Sequence, residues 1–258
     1  MKNRVLSFQF AIFFIVATLL SSVAAVVFDH GFYTDLYEEI HLSQTTGVSD
    51  EELQDSIFMM TDYVEGKRDN LDGRVVWKGK EQETFNAKEK KHMVDVRTLW
   101  LRARLVMIIS WVAAILSALV VLVREKEKGF ALLYAGFKQA MFCLLILFGF
   151  FGFWYLTDFT SLWTWFHTVF FAGNMDWLLN PATDFMIVIC PEQMFSTMIA
   201  SIALKFVLAL GASGIALSFL AKSGSHMSYL RAIGRKSDAA GFSKDNARED
   251  SSSAHSNC

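Results

Sequence analysis

The chain has 258 residues, 53% of them hydrophobic and 19% charged, with 24 Phe, 7 Trp and only 2 Pro. Soluble domains carry about 25% charged residues, so the composition and a positive mean hydropathy point to a bilayer as the main solvent. A net charge of −2 offers no basic field to nucleic acid, and Cys143, Cys190 and Cys258 lie too far apart for a disulfide framework or a thiolate metal cluster.

Taken in chain order, four apolar runs approach the roughly 20 residues that cross about 30 Å of hydrocarbon as a helix. They are 5–28, 105–123, 139–156 and 195–221, the last interrupted by Lys205. Each is expected to be helical, because unpaired backbone groups are too costly in lipid. Lys2 and Arg4 precede the first run, Arg124, Lys126 and Lys128 join the second to the third, and six Lys/Arg follow the fourth between Lys222 and Arg248. The connection 157–194 has Asp158, Asp176, Asp184 and Glu192 and no Lys or Arg. This bias puts both termini in the cytoplasm. A cleaved leader is the competing reading of residues 1–27, given the basic start and the small residues 21–25.

The expected fold is thus an α-helical membrane protein. Residues 1–28 form the first transmembrane helix, 29–98 a small α+β extracellular domain, 99–123 the second span, 124–138 a cytoplasmic loop and 139–156 the third span. An extracellular aromatic interfacial loop, 157–194, leads to the fourth span, 195–221, and a disordered cytoplasmic tail, 222–258. In the outer domain Ser49 and Glu52 have the spacing of a capping box, Leu53, Ile57, Met60 and Val64 repeat at helical intervals, and Gly66 closes the helix 50–65. Asp72-Gly73 is a turn before a strand at 74–77, and Gly79 is a second turn point.

Between Phe148 and Trp177, thirteen of thirty residues are Phe, Tyr or Trp. An aromatic belt at the headgroup level accounts for them without chemistry. His167 is the polar residue that a belt leaves over: on a helix its neighbours are Trp163, Thr164, Phe170 and Phe171, a setting that disfavours the imidazolium. A histidine satisfied by a backbone carbonyl is its plain alternative. The second candidate is His92, three residues from both Glu89 and Asp95. A carboxylate held against one imidazole nitrogen raises the basicity of the other, as a general base requires; a solvated charge cluster is the alternative. A straight helix would hold His92 about 20 Å above Leu105, so a break near Asp95, capped by Asp95 or Thr98, is expected to fold His92 onto the interface. Arg97, Arg102, Arg104 and Lys205 are candidate contacts to a lipid headgroup or ester carbonyl, with snorkelling to phosphates as their ordinary role. Trp163 and Trp177 complete the candidate substrate contacts.

The four-run layout, the stretch 85–97 with its Glu-Lys-Lys-His-Met-Val-Asp-Val core, and Phe166-His167-Thr168-Val169-Phe170-Phe171 followed by Trp177 and Pro191 together resemble the lipoprotein intramolecular transacylase family of Gram-positive bacteria. The resemblance covers about residues 5–220. It implies an enzyme of the bacterial plasma membrane, with its site on the outer face and diacylated lipoproteins and membrane phospholipid as partners. It also implies transfer of an acyl chain from the sn-2 ester of the S-diacylglyceryl group to the α-amine of the N-terminal cysteine, giving the lyso form. Two outer histidines are implicated in that family, matching His92 and His167 here; His92 is then the base, Asp95 its orienting carboxylate and His167 the group that shapes the site or stabilises the oxyanion. No cofactor is expected, and His92, His167 and nearby carboxylates lack a metal-ligand spacing. The competing functions are a lipid ester hydrolase, with water as nucleophile, and a non-catalytic membrane sensor or adaptor that binds a partner through the helix 50–65. A transporter is disfavoured for want of broken-helix repeats.

Overall fold

The computed structural model describes the backbone of residues 2–254 and the side chains of residues 2–224. The tail 222–258, expected to be disordered, continues the helical backbone that begins at Glu192 as far as Ala254, and residues 255–258 lie outside the described ones. In chain order the elements are α1 (Lys2–Val27), α2 (His30–Glu39), α3 (Leu42–Thr46), α4 (Asp50–Glu65), β1 (Arg74–Trp77), β2 (Lys80–Glu83), α5 (Ala87–Glu125), α6 (Gly129–Thr157), α7 (Phe159–Phe170), α8 (Phe185–Ile189) and α9 (Glu192–Ala254). A single 3-10 turn, Lys126–Lys128, joins α5 to α6.

Among the described residues three helical stretches are long and apolar enough to cross a membrane: Lys2–Val27, Ala87–Thr157 and Glu192–Gly224. The second, 71 residues long, contains both α5 and α6. The apolar runs 105–123 and 139–156 therefore fall in α5 and α6, and those at the two ends of the chain coincide with α1 and α9. At 12 residues, α7 is too short to be a further span.

The chain divides into two compact units. One comprises residues 1–12, 114–140 and 212–258. Here Gly136 brings α6 against the backbone of α1: a Cβ on it would stand 2.4 Å from the Ser7 carbonyl oxygen. Asn3 Nδ2 donates to Glu125 Oε1, and a cavity of about 730 Å³ is lined by Lys2, Asn3, Arg4, Arg124, Glu125 and Lys128.

The other unit, residues 13–113 and 141–211, holds the hydrophobic core. α4 begins at Ser49, whose hydroxyl accepts from the Glu52 N–H, and ends at Gly66 with φ of 94°, where glycine avoids the cost of a side chain. Leu53 and Ile57 are fully buried, and Met60 is half-buried beside them. Glu52 uses its other carboxylate oxygen to accept from the Val76 N–H, tying α4 to β1. β1 and β2 pair antiparallel, Arg74 opposite Glu83 and Trp77 opposite Lys80. The two-residue connection Lys78-Gly79 has φ of 53° and 71°, the left-handed pair that a tight hairpin demands. α2 and α3 are helices that the pattern of residues 30–46 did not announce. Tyr37 of α2, 2% exposed, donates its hydroxyl to the Ile189 carbonyl of α8.

One expectation is overturned: α5 is continuous from Ala87 to Glu125, with no break near Asp95. No Gly or Pro occurs between Lys88 and Arg104 to interrupt it. The groups nominated as caps are otherwise engaged, Thr98 Oγ1 donating to the Val94 carbonyl one turn back and Asp95 accepting from Asn174. His92 does not descend on a broken helix; the segment after α7 comes to it.

Candidate active site

The site begins at the first turn of α5. Asn86 Oδ1 accepts from the Lys88 and Glu89 backbone N–H groups, and Glu89 Oε2 accepts from the Asn86 N–H at 2.6 Å, a complete capping box. The second Glu89 oxygen accepts from the Met186 N–H in the first turn of α8, also at 2.6 Å. Glu89 is 1% exposed. Burial raises its pKa, and the two backbone hydrogen bonds pull against that rise.

One turn further along α5, His92 is buried, with its Nδ1 unpartnered by protein. Burial, followed by the neighbouring His167, lowers its pKa to about 4, against the opposing charges of Asp95 and Asp176. α7 delivers His167. Asp158 starts that helix by accepting from the Ser161 N–H, and the 3.6-residue period turns Trp163 and His167 to the same side. His167 Nδ1 donates to the Trp163 carbonyl at 2.8 Å. The neutral ring then carries its proton on Nδ1 and presents a lone pair at Nε2. Burial lowers the His167 pKa, opposed by that backbone hydrogen bond.

The two imidazoles meet with ring centroids 6.1 Å apart. Phe171 contacts both, at 5.0 Å from His92 and 5.5 Å from His167. Trp163 stands edge-on to His167 at 4.7 Å, and Trp177 lies 5.1 Å from it. The result is a pair of neutral bases in an aromatic box that excludes bulk water, a setting in which electrostatic interactions are strengthened.

A strap, residues 171–184, closes the box. It is fastened to α5 through Lys88, Lys91 and Asp95, which share one helical face. Lys88 Nζ donates to the Leu178 carbonyl at 2.6 Å and lies 3.4 Å from Asp184 Oδ2. Lys91 Nζ is 2.7 Å from Asp176 Oδ2, and Asp95 Oδ2 accepts from Asn174 Nδ2 at 2.9 Å. Asp184, itself buried, also accepts from Asn86 Nδ2 and from the Asn180 N–H.

The structure brings together His92, His167, Trp163 and Trp177 of the residues singled out in the sequence. Asp95 sits one turn from His92, but its carboxylate serves Asn174; it reaches His92 through charge rather than through an orienting hydrogen bond. The other cations lie elsewhere. Arg97 stacks on Tyr63 at 4.6 Å and donates to the Arg68 carbonyl, Arg104 donates to the Glu65 carbonyl, and Arg102 and Lys205 are exposed. Sequence reasoning missed the clamp of Asn86, Glu89 and Asp184. Half of it was legible, since Asn86 and Glu89 have capping-box spacing; the partner Met186 is 97 residues from Glu89. Among the described residues no group of three His, Cys, Asp or Glu side chains is arranged to hold a metal ion.

Comparison with known proteins bears on this arrangement. The profile of the lipoprotein intramolecular transacylase Lit family matches residues 8–195. The chain belongs to the Lit family. It is therefore a transacylase by family, and an integral membrane protein that crosses the bilayer more than once. The crystal structure of the membrane-integral lipoprotein intramolecular transacylase Lit from Bacillus cereus is similar, with a TM-score of 0.68 at 16% identity over 89% of this chain and 98% of that one. A variant of that protein with a histidine replaced by alanine matches with a TM-score of 0.65 at 16% identity, over 89% of this chain and 96% of that one. At such identity the likeness is one of fold. No curated protein sequence matches this Lit family member.

Proposed function

We propose that this Lit protein moves an acyl chain from the sn-2 ester of a lipoprotein's S-diacylglyceryl group to the α-amine of its N-terminal cysteine. The observation that carries the reading is the apposition of His92 and His167, 6.1 Å apart and both buried, inside an aromatic box. The amine attacks the ester carbonyl, the C–N bond forms, the C–O bond to the sn-2 oxygen breaks, and one proton passes from nitrogen to the departing oxygen. His92 carries that proton. Its low pKa suits the task, because the amine becomes acidic once the C–N bond has formed. Neutral His167, with Nδ1 committed to Trp163, has no N–H left for an oxyanion; it acts as a second proton acceptor and stabilises the oxyanion only when protonated. Nucleophile and ester belong to one molecule, so proximity is supplied by the substrate and water exclusion by the strap.

In this reading α1, α5, α6 and α9 each contain one of four spans, with both termini in the cytoplasm of a bacterial plasma membrane and His167 and the first turns of α5, with His92, outside. The basic lining of the cavity at the start of α1 and the end of α5 supports the cytoplasmic assignment of that end. Mass spectrometry of a lipoprotein N-terminus, from a host lacking the activity and supplied with this chain, tests the reaction. Transfer gives N-acylation with an unchanged acyl count; loss of one chain would make the protein a hydrolase, and an unchanged lipopeptide would leave a sensor or adaptor. His92→Ala is expected to insert normally and to lose about 10²–10⁴-fold in conversion rate, whereas retained activity would remove His92 from the mechanism.

A further inference from the structure

The first turn of α5 contains a buried acid that the reaction itself does not use. Glu89 is 1% exposed, yet it stands in no described ion pair. Its two oxygens accept from two backbone N–H groups at 2.6 Å each, one belonging to the start of α5 and one to the start of α8. A single carboxylate thus caps two helices that are remote in sequence, and the positive ends of both face it.

We propose that Glu89 is a positioning residue, which holds α8 on α5 and so fixes where the strap sets Phe171 against both imidazoles and Trp177 against His167. The inference rests on the transacylase reading of the site. α8 is pinned at both ends, by Glu89 on Met186 and by Tyr37 on the Ile189 carbonyl. The strap runs between α7, which carries His167, and α8, so the place where α8 docks sets the end of its travel. Among the described residues, the polar contacts that remain without the Met186 bond to fasten that end to α5 are those of Asn86 and Lys88 with Asp184 and of Lys88 with the Leu178 carbonyl. Glu89 lies one turn from His92, so a shift of α8 is felt where the two rings meet. A displacement of about 1 Å in a reacting pair costs about 10²-fold in rate.

The test uses the full chain in nanodiscs with a diacylated lipopeptide. Glu89→Asp keeps the charge and the α5 cap but is one methylene too short to bond Met186 as well. It is expected to lose about 10²-fold in kcat while KM stays within about twofold of the parent. The His92 imidazole, followed by NMR titration, is expected to move up from about 4 toward 6.5 as water enters under a loosened strap. Glu89→Gln, which leaves one backbone N–H facing an amide donor, is expected to change both readouts in the same direction. A residue that served folding alone would lower the yield of folded protein and leave the folded fraction with the parent kcat and His92 titration; that result in Glu89→Asp overturns the proposal. Should Glu89→Gln fail to fold, Glu89→Asp decides alone. Should the parent protein transfer no acyl chain, the reaction reading fails, and the His92 titration in Glu89→Asp still decides whether Glu89 positions the site.

Discussion

His92 is a weak base by construction, and its environment yields two measurable consequences. Its folded pKa of about 4 lies below the ordinary 6.5, so between those values the unfolded chain binds more protons than the folded one. Stability contributed by the neutral ring is present above 6.5 and is lost as pH falls through that window. The unfolding midpoint is expected to fall between pH 7 and pH 4.5, and to fall less in His92→Phe. The rate has a different signature. In the proposed reaction the substrate amine, with a reference pKa of about 7.7–8.0, is by itself expected to make log(kcat/KM) rise with unit slope as pH increases below that value. An ordinary histidine base would steepen the slope to two below 6.5; the depressed His92 should leave it at one down to about pH 5. At this scale the sequence named both histidines and both tryptophans, because a His set among aromatics or beside carboxylates is conspicuous. It misassigned Asp95, since i+3 spacing fixes only a shared face, and Asn174 arrives from 79 residues away to take the carboxylate.

Helix α5 shows how an element can defeat a local argument. Its 39 residues span about 58 Å, roughly twice the hydrocarbon thickness. The expected break was inferred from the height of His92 above Leu105, but nothing in the backbone chemistry of 88–104 supports a break. The capping box of α4, the hairpin turn and the apolar runs were legible because each is decided by neighbours in sequence. The clamp and the strap were not, because their partners are distant. Contact between elements also makes a prediction. Gly136 allows α6 to touch α1 at Ser7, where a methyl group would sit 2.4 Å from a carbonyl oxygen. Backbones cannot yield as side chains do, so Gly136→Ala is expected to cost about 1–3 kcal/mol, read as a lower unfolding midpoint in detergent.

For the whole molecule, the proposed topology makes a prediction about which side of the membrane each end occupies. With four spans and both termini inside, Asp55→Cys on α4 should react with a membrane-impermeant thiol reagent on intact cells. Lys126→Cys, in the turn between α5 and α6, should react only after permeabilisation. The opposite pattern would invert the topology and with it the assignment of the histidines to the outer face. Family membership by sequence profile and the Lit fold at 16% identity agree on architecture. From the residues themselves His92 and His167 were two separate candidates, and only the family resemblance joined them; the contact between the two rings depends on pairings distant in sequence, which no local pattern reveals.

The fastenings of the strap have a further property. Lys91 is 66% exposed and Asp176 20% where they pair, against 38% for Lys88 and 6% for Asp184. Dissolved ions screen the first contact more than the second, over a Debye length that shrinks from about 30 Å in 0.01 M salt to about 3 Å in 1 M. The covering of the two histidines is therefore fastened by one contact that salt weakens more and one that it weakens less. As the ionic strength of the medium bathing the strap rises, the Lys91 contact is accordingly expected to loosen before the Lys88 one.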